Sequence, residues 1–122
     1  MLKILLIDDD PNMEILWSKY LEKHGVEADI SQAYDLEDAQ SKIDKELFYD
    51  LWVVDHRLPA MTGLEFLNKQ QRIKPFIYST FYFDDDVLTF VKAKGGVPLD
   101  KNRLTHHSSE MEKSLQTLGV IP

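Results

Sequence analysis

Short apolar runs alternate along the chain with segments in which apolar residues recur every three or four positions. The run from Lys3 to Ile7 is the first candidate strand. The apolar residues that follow fall on one face of a helix, namely Met13, Leu16, Trp17, Tyr20 and Leu21. This helix is predicted to end at Lys23-His24-Gly25, because basic residues followed by glycine are typical of a helix C-terminus.

The same alternation continues through the rest of the sequence. Further strands are predicted at Glu27–Ser31, Leu51–Asp55, Phe76–Thr80 and Val97–Leu99. Further helices are predicted to begin near Asp35, at Gly63 (ending at about Gln71), at Asp84 (ending at Lys94) and near Ser109. The strand Glu27–Ser31 is the least apolar and fits a sheet edge, whereas the continuous run Leu51–Asp55 suits a strand covered on both faces. The last strand is weakened by Pro98, which has no N–H to donate.

Five strands that alternate with five helices predict an α/β fold of the (βα)5 type. Right-handed crossovers then give a doubly wound, five-stranded parallel sheet with helices on both faces. No linker, internal repeat or low-complexity segment interrupts the pattern. The 122 residues fit one compact domain, so we expect a single domain over residues 1–122 with no output domain after the last helix.

Composition and charge narrow the classes of partner. The net charge is −7 and no long basic cluster is present, which argues against direct nucleic-acid binding. The first apolar run is too short for a signal peptide or a membrane span, so the sequence predicts a cytoplasmic protein without membrane contact. The absence of cysteine excludes disulfides and thiolate metal sites.

Polar and charged side chains follow most of the predicted strands at the point where each strand ends. Asp8 and Asp9 follow the first strand, Asp55 ends the third, Ser79-Thr80 ends the fourth and Asp100-Lys101 follows the fifth. Ligands of open α/β sheets bind beyond the carboxyl ends of the strands. We therefore expect these side chains to meet at one edge of the sheet.

Carboxylates held close together require a cation to offset their repulsion. The predicted cluster offers only oxygen ligands, which favours Mg²⁺ over Zn²⁺. The nearby Thr80 and Lys101 would supply a hydroxyl donor and a positive charge to an incoming phosphoryl group. An aspartate can itself act as the nucleophile and form an acyl phosphate.

These motifs together resemble the receiver (CheY-like) domain of two-component response regulators, over the whole length of the chain. The resemblance is carried by Asp8-Asp9, by the sequence DHRLPAMTG, by Thr80 and by Lys101. Within DHRLPAMTG, Asp55, Pro59 and Gly63 keep the family spacing D-x-x-x-P-x-x-x-G. The resemblance implies a flavodoxin-like fold of the receiver type and a phosphoacceptor signalling domain rather than an enzyme.

The resemblance also implies a metal site. Asp9 would bind Mg²⁺ directly and Asp8 mostly through water. Asp55 and the backbone carbonyl of Arg57 would supply further oxygens, and Mn²⁺ or Ca²⁺ could substitute for Mg²⁺.

The remaining roles implied by the resemblance concern the phosphoryl group. Asp55 would accept it from a phosphohistidine on a sensor histidine kinase or a phosphotransfer protein, Thr80 would hydrogen-bond it and Lys101 would pair with it. A downstream protein would then read the surface formed by the fourth helix, fifth strand and fifth helix, roughly Asp84 to Leu118. The same surface could form a homodimer.

Departures from the family pattern keep two alternatives open. Phe81 follows the threonine where a small residue is usual, Pro98 stands where an aromatic residue is expected, and Asn102 replaces the proline after the lysine. These residues favour a second hypothesis, a pseudo-receiver that serves as a protein-docking module with weakened or lost phosphorylation. A third hypothesis is a phosphatase of the haloacid-dehalogenase type, whose D-x-D start matches Asp8-x-Asp10. This hypothesis is ranked lowest, because a proline-started helix follows the aspartates at once.

Other conspicuous residues have ordinary structural explanations. Asp10 is predicted to cap the first helix, with Pro11 in its first turn. The pair His106-His107 is assigned to an exposed loop or first helical turn rather than to a metal site. Trp17 and Trp52 are predicted to lie in the core.

Overall fold

The computed structural model of the protein describes residues 1–45, 49–58, 61–80, 84–100 and 109–120. Within these ranges the main sheet is formed by β1 (Leu2–Ile7), β2 (Ala28–Ala33), β3 (Leu51–Asp55), β4 (Phe76–Thr80) and β5 (Val97–Asp100). The helices are α1 (Asn12–Lys23), α2 (Leu36–Lys45), α3 (Gly63–Lys69), α4 (Asp85–Ala93) and α5 (Ser109–Thr117). None of the described helices combines the length and apolar character needed to cross a membrane.

All strands of the main sheet are parallel, in the order β2-β1-β3-β4-β5. This order confirms the predicted doubly wound α/β fold. Every residue of β3 and β4 is buried, as expected for central strands covered on both faces. The strands β2 and β5 form the two edges, which is where a weakly apolar strand and a strand containing Pro98 are tolerated.

The core consists of two layers, one on each face of the sheet. One layer packs α1 and α5 against the sheet, with Trp17, Leu21 and Leu115 almost completely buried. The other layer packs α2, α3 and α4 against the opposite face of the sheet. The buried Trp52 of β3 belongs to this second layer. Successive strand residues alternate between the layers, because side chains of a strand point to opposite faces in turn. Both tryptophans therefore lie in the core, as predicted.

Most element boundaries differ from the sequence prediction by one residue, and those of β2 and α3 differ by up to two. The second strand runs from Ala28 to Ala33, rather than over Glu27–Ser31, because it pairs residue for residue with Leu2–Ile7 of β1. Pairing to a central strand outweighs the weak local preference of this polar sequence. Helix α3 ends at Lys69 rather than at Gln71.

Aspartate side chains accept hydrogen bonds from backbone N–H groups at the starts of α1 and α4. The carboxylate of Asp10 accepts a hydrogen bond from the backbone N–H of Asn12 at 2.9 Å, which satisfies the first N–H of α1, although the N-cap position is Pro11 rather than the predicted Asp10. Asp84 likewise accepts from the backbone N–H of Val87 at 2.8 Å at the start of α4. Each bond satisfies a backbone donor that the helix leaves open.

Candidate metal and phosphoryl site

The candidate site lies at the carboxyl ends of three adjacent strands. Ile7 of β1 pairs with Val54 of β3, and Asp55 of β3 pairs with Ser79 of β4. Asp8, which directly follows β1, therefore stands next to Asp55 at this edge. The parallel register thus brings together residues that are far apart in the sequence, as the analysis of strand ends predicted.

Three carboxylates converge at this edge. One oxygen from each of Asp8, Asp9 and Asp55 lies within 4.8 Å of the other two. Asp8 is 1% exposed and Asp55 is 6% exposed, whereas Asp9 is exposed to solvent. Two of the three acids are therefore withdrawn from water, which makes charge compensation at this point energetically important.

The geometry of the cluster fits a hard divalent cation. Mg²⁺ binds oxygen at about 2.0–2.1 Å, so its ligands lie at most about 4.2 Å apart. The three oxygens lie within 4.8 Å of one another, so an ion between them could bind some of the carboxylates directly and another through a water. Ca²⁺, with oxygen distances of about 2.3–2.6 Å, tolerates a wider spacing of ligands than Mg²⁺.

The loop that carries the first two site aspartates is tied to strand β2. The backbone N–H of Asp8 donates to the carbonyl of Ala33 at 3.0 Å. The side-chain amide of Gln32 donates to the carbonyls of Asp8 (2.9 Å) and Asp10 (2.8 Å). Gln32 is buried, and no motif in the sequence points to it. The only signal was a glutamine next to an alanine at the end of a weak strand, which does not indicate a tether.

A short antiparallel ribbon follows Asp55, formed by Arg57–Leu58 and Met61–Thr62. Directly after it, the backbone N–H of Gly63 donates to the carbonyl of His56 at 2.8 Å. A Cβ atom at Gly63 would collide with the carbonyl oxygen of Asp55 and would lie 2.9 Å from the Tyr78 ring. The glycine of the D-x-x-x-P-x-x-x-G spacing is therefore required by this close approach.

Tyr78 connects two segments next to the site. Its hydroxyl group is 2.5 Å from Nδ1 of His56 and also receives a backbone hydrogen bond from Leu64. Burial raises the pKa of Tyr78 far above its usual value, so the phenol stays protonated and can donate to His56. Burial also lowers the pKa of His56, against an opposing effect of Asp84. The Nδ1 atom of the neutral imidazole can then accept a hydrogen bond from the phenol hydroxyl group of Tyr78.

The end of strand β4 contributes two buried hydroxyl groups. Ser79 is 1% exposed and Thr80 is 4% exposed. Among the described residues, the hydroxyl oxygen of Ser79 has no hydrogen-bond partner, although it is completely buried. Thr80 stands one residue beyond the register partner of Asp55.

The structure thus brings Asp8, Asp9 and Asp55 together and places Thr80 at the end of the neighbouring strand. Arg57, whose carbonyl was predicted as a metal ligand, begins the ribbon two residues after Asp55. Other residues used in the sequence analysis lie outside the described residues, namely Pro59, Phe81, Lys101, Asn102, His106 and His107.

Comparison with known families agrees with this geometry. The model of the response regulator receiver domain matches residues 4–95, about three quarters of the chain. The chain belongs to the response regulator receiver domain family. The receiver match confirms the family suggested by the motifs at the strand ends and identifies the protein as a signalling domain.

Solved receiver structures share the whole fold. The chemotaxis protein CheY4 of Vibrio cholerae is 27% identical, with a TM-score of 0.72 over 95% of this chain and 97% of that chain. A two-component response regulator from Clostridium difficile is also 27% identical, with a TM-score of 0.74 and the same shares covered.

A curated relative matches over part of its length. The protein-glutamate methylesterase/protein-glutamine glutaminase of Agrobacterium fabrum is 36% identical over 73 residues, which are 60% of this chain. The match covers 20% of that relative, so the two proteins share a segment rather than a whole architecture.

Proposed function

We propose that this receiver domain accepts a phosphoryl group on Asp55 in a Mg²⁺-dependent reaction and thereby changes its affinity for a protein partner. The observation that carries the proposal is the convergence of Asp8, Asp9 and Asp55 within 4.8 Å at the carboxyl edge of the sheet. The membership of the chain in the receiver family supports the same function.

The proposed reaction is a phosphoryl transfer from nitrogen to oxygen. A carboxylate oxygen of Asp55 attacks the phosphorus of a phosphohistidine on a sensor kinase or phosphotransfer protein. The new O–P bond forms as the P–N bond breaks, and the departing imidazole nitrogen keeps the electron pair of that bond and takes up a proton. The product is an acyl phosphate on Asp55 and a free histidine on the donor.

Asp55 is suited to this role by its position. It is 6% exposed and ends a fully buried strand, so neighbouring strands hold its backbone in place, and one of its carboxylate oxygens lies in the acidic cluster. We assign Thr80 as a hydroxyl donor to the transferred group, since it ends the adjacent strand. We assign Lys101, from the family motif, as the cation that pairs with the same group.

The proposed metal ligands are Asp8, Asp9, Asp55 and the backbone carbonyl of Arg57. When bound, Mg²⁺ would neutralise part of the negative charge that gathers where a phosphoryl group meets carboxylates. The loop contacts of Gln32 support this assignment, because they hold the first two carboxylates in place before any ion binds.

The proposed output surface is formed by α4, β5 and α5. In this surface Phe90 is partly exposed and the ammonium group of Lys94 lies 5.6 Å from the centre of its ring. An aromatic side chain next to a cation is a suitable contact for a protein partner. We propose that a downstream protein, or a second copy of the chain, binds this face when Asp55 is phosphorylated.

The direct test is phosphorylation by a small-molecule donor. The protein is incubated with phosphoramidate, with Mg²⁺ or with excess EDTA, and its intact mass is measured. We expect an adduct of one phosphoryl group in the presence of Mg²⁺ and none with EDTA. Asp55→Asn should abolish the adduct, whereas the matched control Asp29→Asn, on the exposed edge strand, should form it normally.

The result also separates the proposed function from its alternative. A protein that binds Mg²⁺ but forms no adduct, with Asp55→Asn indistinguishable from wild type, would act as a docking module without phosphorylation. Light scattering with and without the phosphoryl mimic beryllofluoride then tests the dimer. An unchanged molar mass would refute phosphorylation-dependent self-association through α4, β5 and α5.

A further inference from the structure

The phenol hydroxyl group of Tyr78 connects the two ends of the loop that follows the proposed phosphoacceptor. Its oxygen is 2.5 Å from Nδ1 of His56, the residue directly after Asp55. The same oxygen accepts a hydrogen bond from the backbone N–H of Leu64, the second residue of α3. Tyr78 is completely buried in β4, so a single side chain of the core is bonded to the beginning and to the end of this loop.

The aromatic ring of Tyr78 packs against the same two places. The rings of His56 and Tyr78 meet edge to face, with their centres 5.7 Å apart. A Cβ atom at Gly63 would lie only 2.9 Å from the Tyr78 ring, so the first residue of α3 approaches the ring as closely as a glycine allows. Packing and hydrogen bonding therefore restrain both ends of the loop together.

The hydroxyl group also completes the hydrogen bonding at the start of α3. The first N–H groups of a helix have no partner inside the helix. The N–H of Gly63 donates instead to the carbonyl of His56 at 2.8 Å, and the N–H of Leu64 donates to the phenol oxygen of Tyr78. The start of α3 is thus bonded to His56 both directly and through Tyr78.

His56 lies between two of the proposed metal ligands. Asp55 precedes it, and Arg57, which offers its backbone carbonyl, follows it. The N–H of His56 donates to the carbonyl of Ser79 at 2.9 Å, so both its backbone and its ring are bonded to β4. The chain passes from one ligand to the other through His56, and a fixed His56 side chain therefore restricts how the two ligand oxygens are arranged.

We propose that Tyr78 and His56 are positioning residues for the magnesium site, and that their hydrogen bond holds Asp55 and the carbonyl of Arg57 in the arrangement that binds the ion. The proposal rests on the proposed function, since it takes Mg²⁺ to bind at the acidic cluster. It assigns neither side chain a contact with the ion. Groups that orient metal ligands in this way contribute about 10–100-fold to metal affinity.

Tyr78→Phe tests the proposal, because it removes the hydroxyl group and keeps the ring. We expect the Mg²⁺ affinity of the folded protein, measured by calorimetry, to fall roughly tenfold. Amide hydrogen exchange at Leu64, followed by NMR without metal, should become faster, because this N–H loses its acceptor. Tyr49→Phe is the matched control, since Tyr49 is buried in the same layer but precedes β3, at the opposite edge of the sheet. It should leave both measurements unchanged.

Replacements of His56 distinguish positioning from a general loss of stability. His56→Leu removes the acceptor and should weaken Mg²⁺ binding, whereas His56→Asn keeps an acceptor and should bind Mg²⁺ almost as well as wild type. In the double variant Tyr78→Phe/His56→Leu, the affinity should be no lower than in Tyr78→Phe alone, since both changes remove the same hydrogen bond. The two single His56 variants also decide the question if Tyr78→Phe does not fold.

The outcomes separate this inference from the proposed function. If wild-type protein binds no Mg²⁺ and forms no adduct with phosphoramidate, the proposed function fails and the inference fails with it. If wild type binds Mg²⁺ but forms no adduct, the proposed phosphorylation fails, and the comparison of affinities still decides the inference.

The inference alone is refuted if wild type binds Mg²⁺ and forms the adduct while Tyr78→Phe and His56→Leu bind Mg²⁺ equally well. A loss of stability in these variants without a loss of Mg²⁺ affinity would show that the hydrogen bond serves only the fold. An equal loss of affinity in Tyr49→Phe or in His56→Asn would also contradict the inference, since neither change removes the proposed hydrogen bond.

Discussion

Replacing Gly63 by alanine tests how closely the start of α3 must approach the phosphoacceptor strand. The added methyl group would collide with the carbonyl oxygen of Asp55 and lie 2.9 Å from both Tyr78 and Val54. The first of these contacts is backbone within a buried strand, and the other two are buried side chains in a packed layer. None of the three can move away without disturbing its own packing.

The expected loss of stability follows from two opposing effects. Overpacking a well-packed core costs about 1–3 kcal/mol. Alanine is favoured over glycine in a helix by up to about 1 kcal/mol, and this gain is smaller at the first helical residue. We therefore expect Gly63→Ala to lower the free energy of unfolding by about 0.5–3 kcal/mol, with a shift of roughly 3–5 °C in the thermal midpoint per kcal/mol.

Urea unfolding followed by circular dichroism measures this loss, and Mg²⁺ titration of the folded protein measures the displacement of Asp55. Gly25→Ala is the comparison, since Gly25 has φ +70° and no atom within 4 Å of its added Cβ. It should cost about 1–2 kcal/mol through backbone strain alone and leave the Mg²⁺ affinity unchanged. A Gly63→Ala protein as stable as wild type, with unchanged Mg²⁺ affinity, would refute the steric argument.

Three further predictions follow from the contacts around the site. Burial lowers the pKa of His56, so the unfolded chain binds the histidine proton more readily than the folded chain does. The contribution of His56 to stability is therefore present above about pH 6.5 and is lost as the pH falls toward the pKa in the folded state. His56→Asn keeps an acceptor for Tyr78 and should flatten the slope of stability with pH below about pH 6.5 in urea unfolding. An unchanged slope contradicts this prediction. Gln32→Ala should weaken Mg²⁺ binding severalfold, because it removes the two hydrogen bonds that hold the loop of Asp8 and Asp9. Calorimetry measures this affinity, and an affinity equal to that of wild type would show that these hydrogen bonds have no effect on the metal site. Asp84→Ala removes the cap of α4 and should cost about 0.5–2 kcal/mol in urea unfolding without changing Mg²⁺ affinity.

Periodicity was sufficient to predict the architecture. The run Leu51–Asp55 and the helical spacing around Trp17 each reflect a buried surface with a simple repeat, and the structure buries both as expected. Strand β2 begins and ends later than the predicted Glu27–Ser31, because its extent is set by pairing with β1 rather than by its own polar sequence. The ribbon after Asp55 was not predicted, since two-residue strands have no period to detect.

The acidic part of the site was predictable for a different reason. In a parallel sheet the residues that follow adjacent strands must meet, so Asp8 and Asp55 could be placed together from strand assignment alone. Gln32 and Tyr78 were missed, because their roles depend on which backbone atoms lie across from them. A glutamine in a strand and an aromatic residue in a buried run have many commoner explanations, and only the folded chain distinguishes between them.

The two outer strands of the sheet, β2 and β5, have a consequence for aggregation. Open strand edges can recruit strands from other molecules, and charged residues, proline and short edge strands reduce this risk. Here β5 has four residues and contains Pro98, while β2 presents the exposed Asp29. Intermolecular growth of the sheet is therefore disfavoured at both sides. We expect Pro98→Val to increase fibril-type association on prolonged incubation, even if the native fold is unchanged.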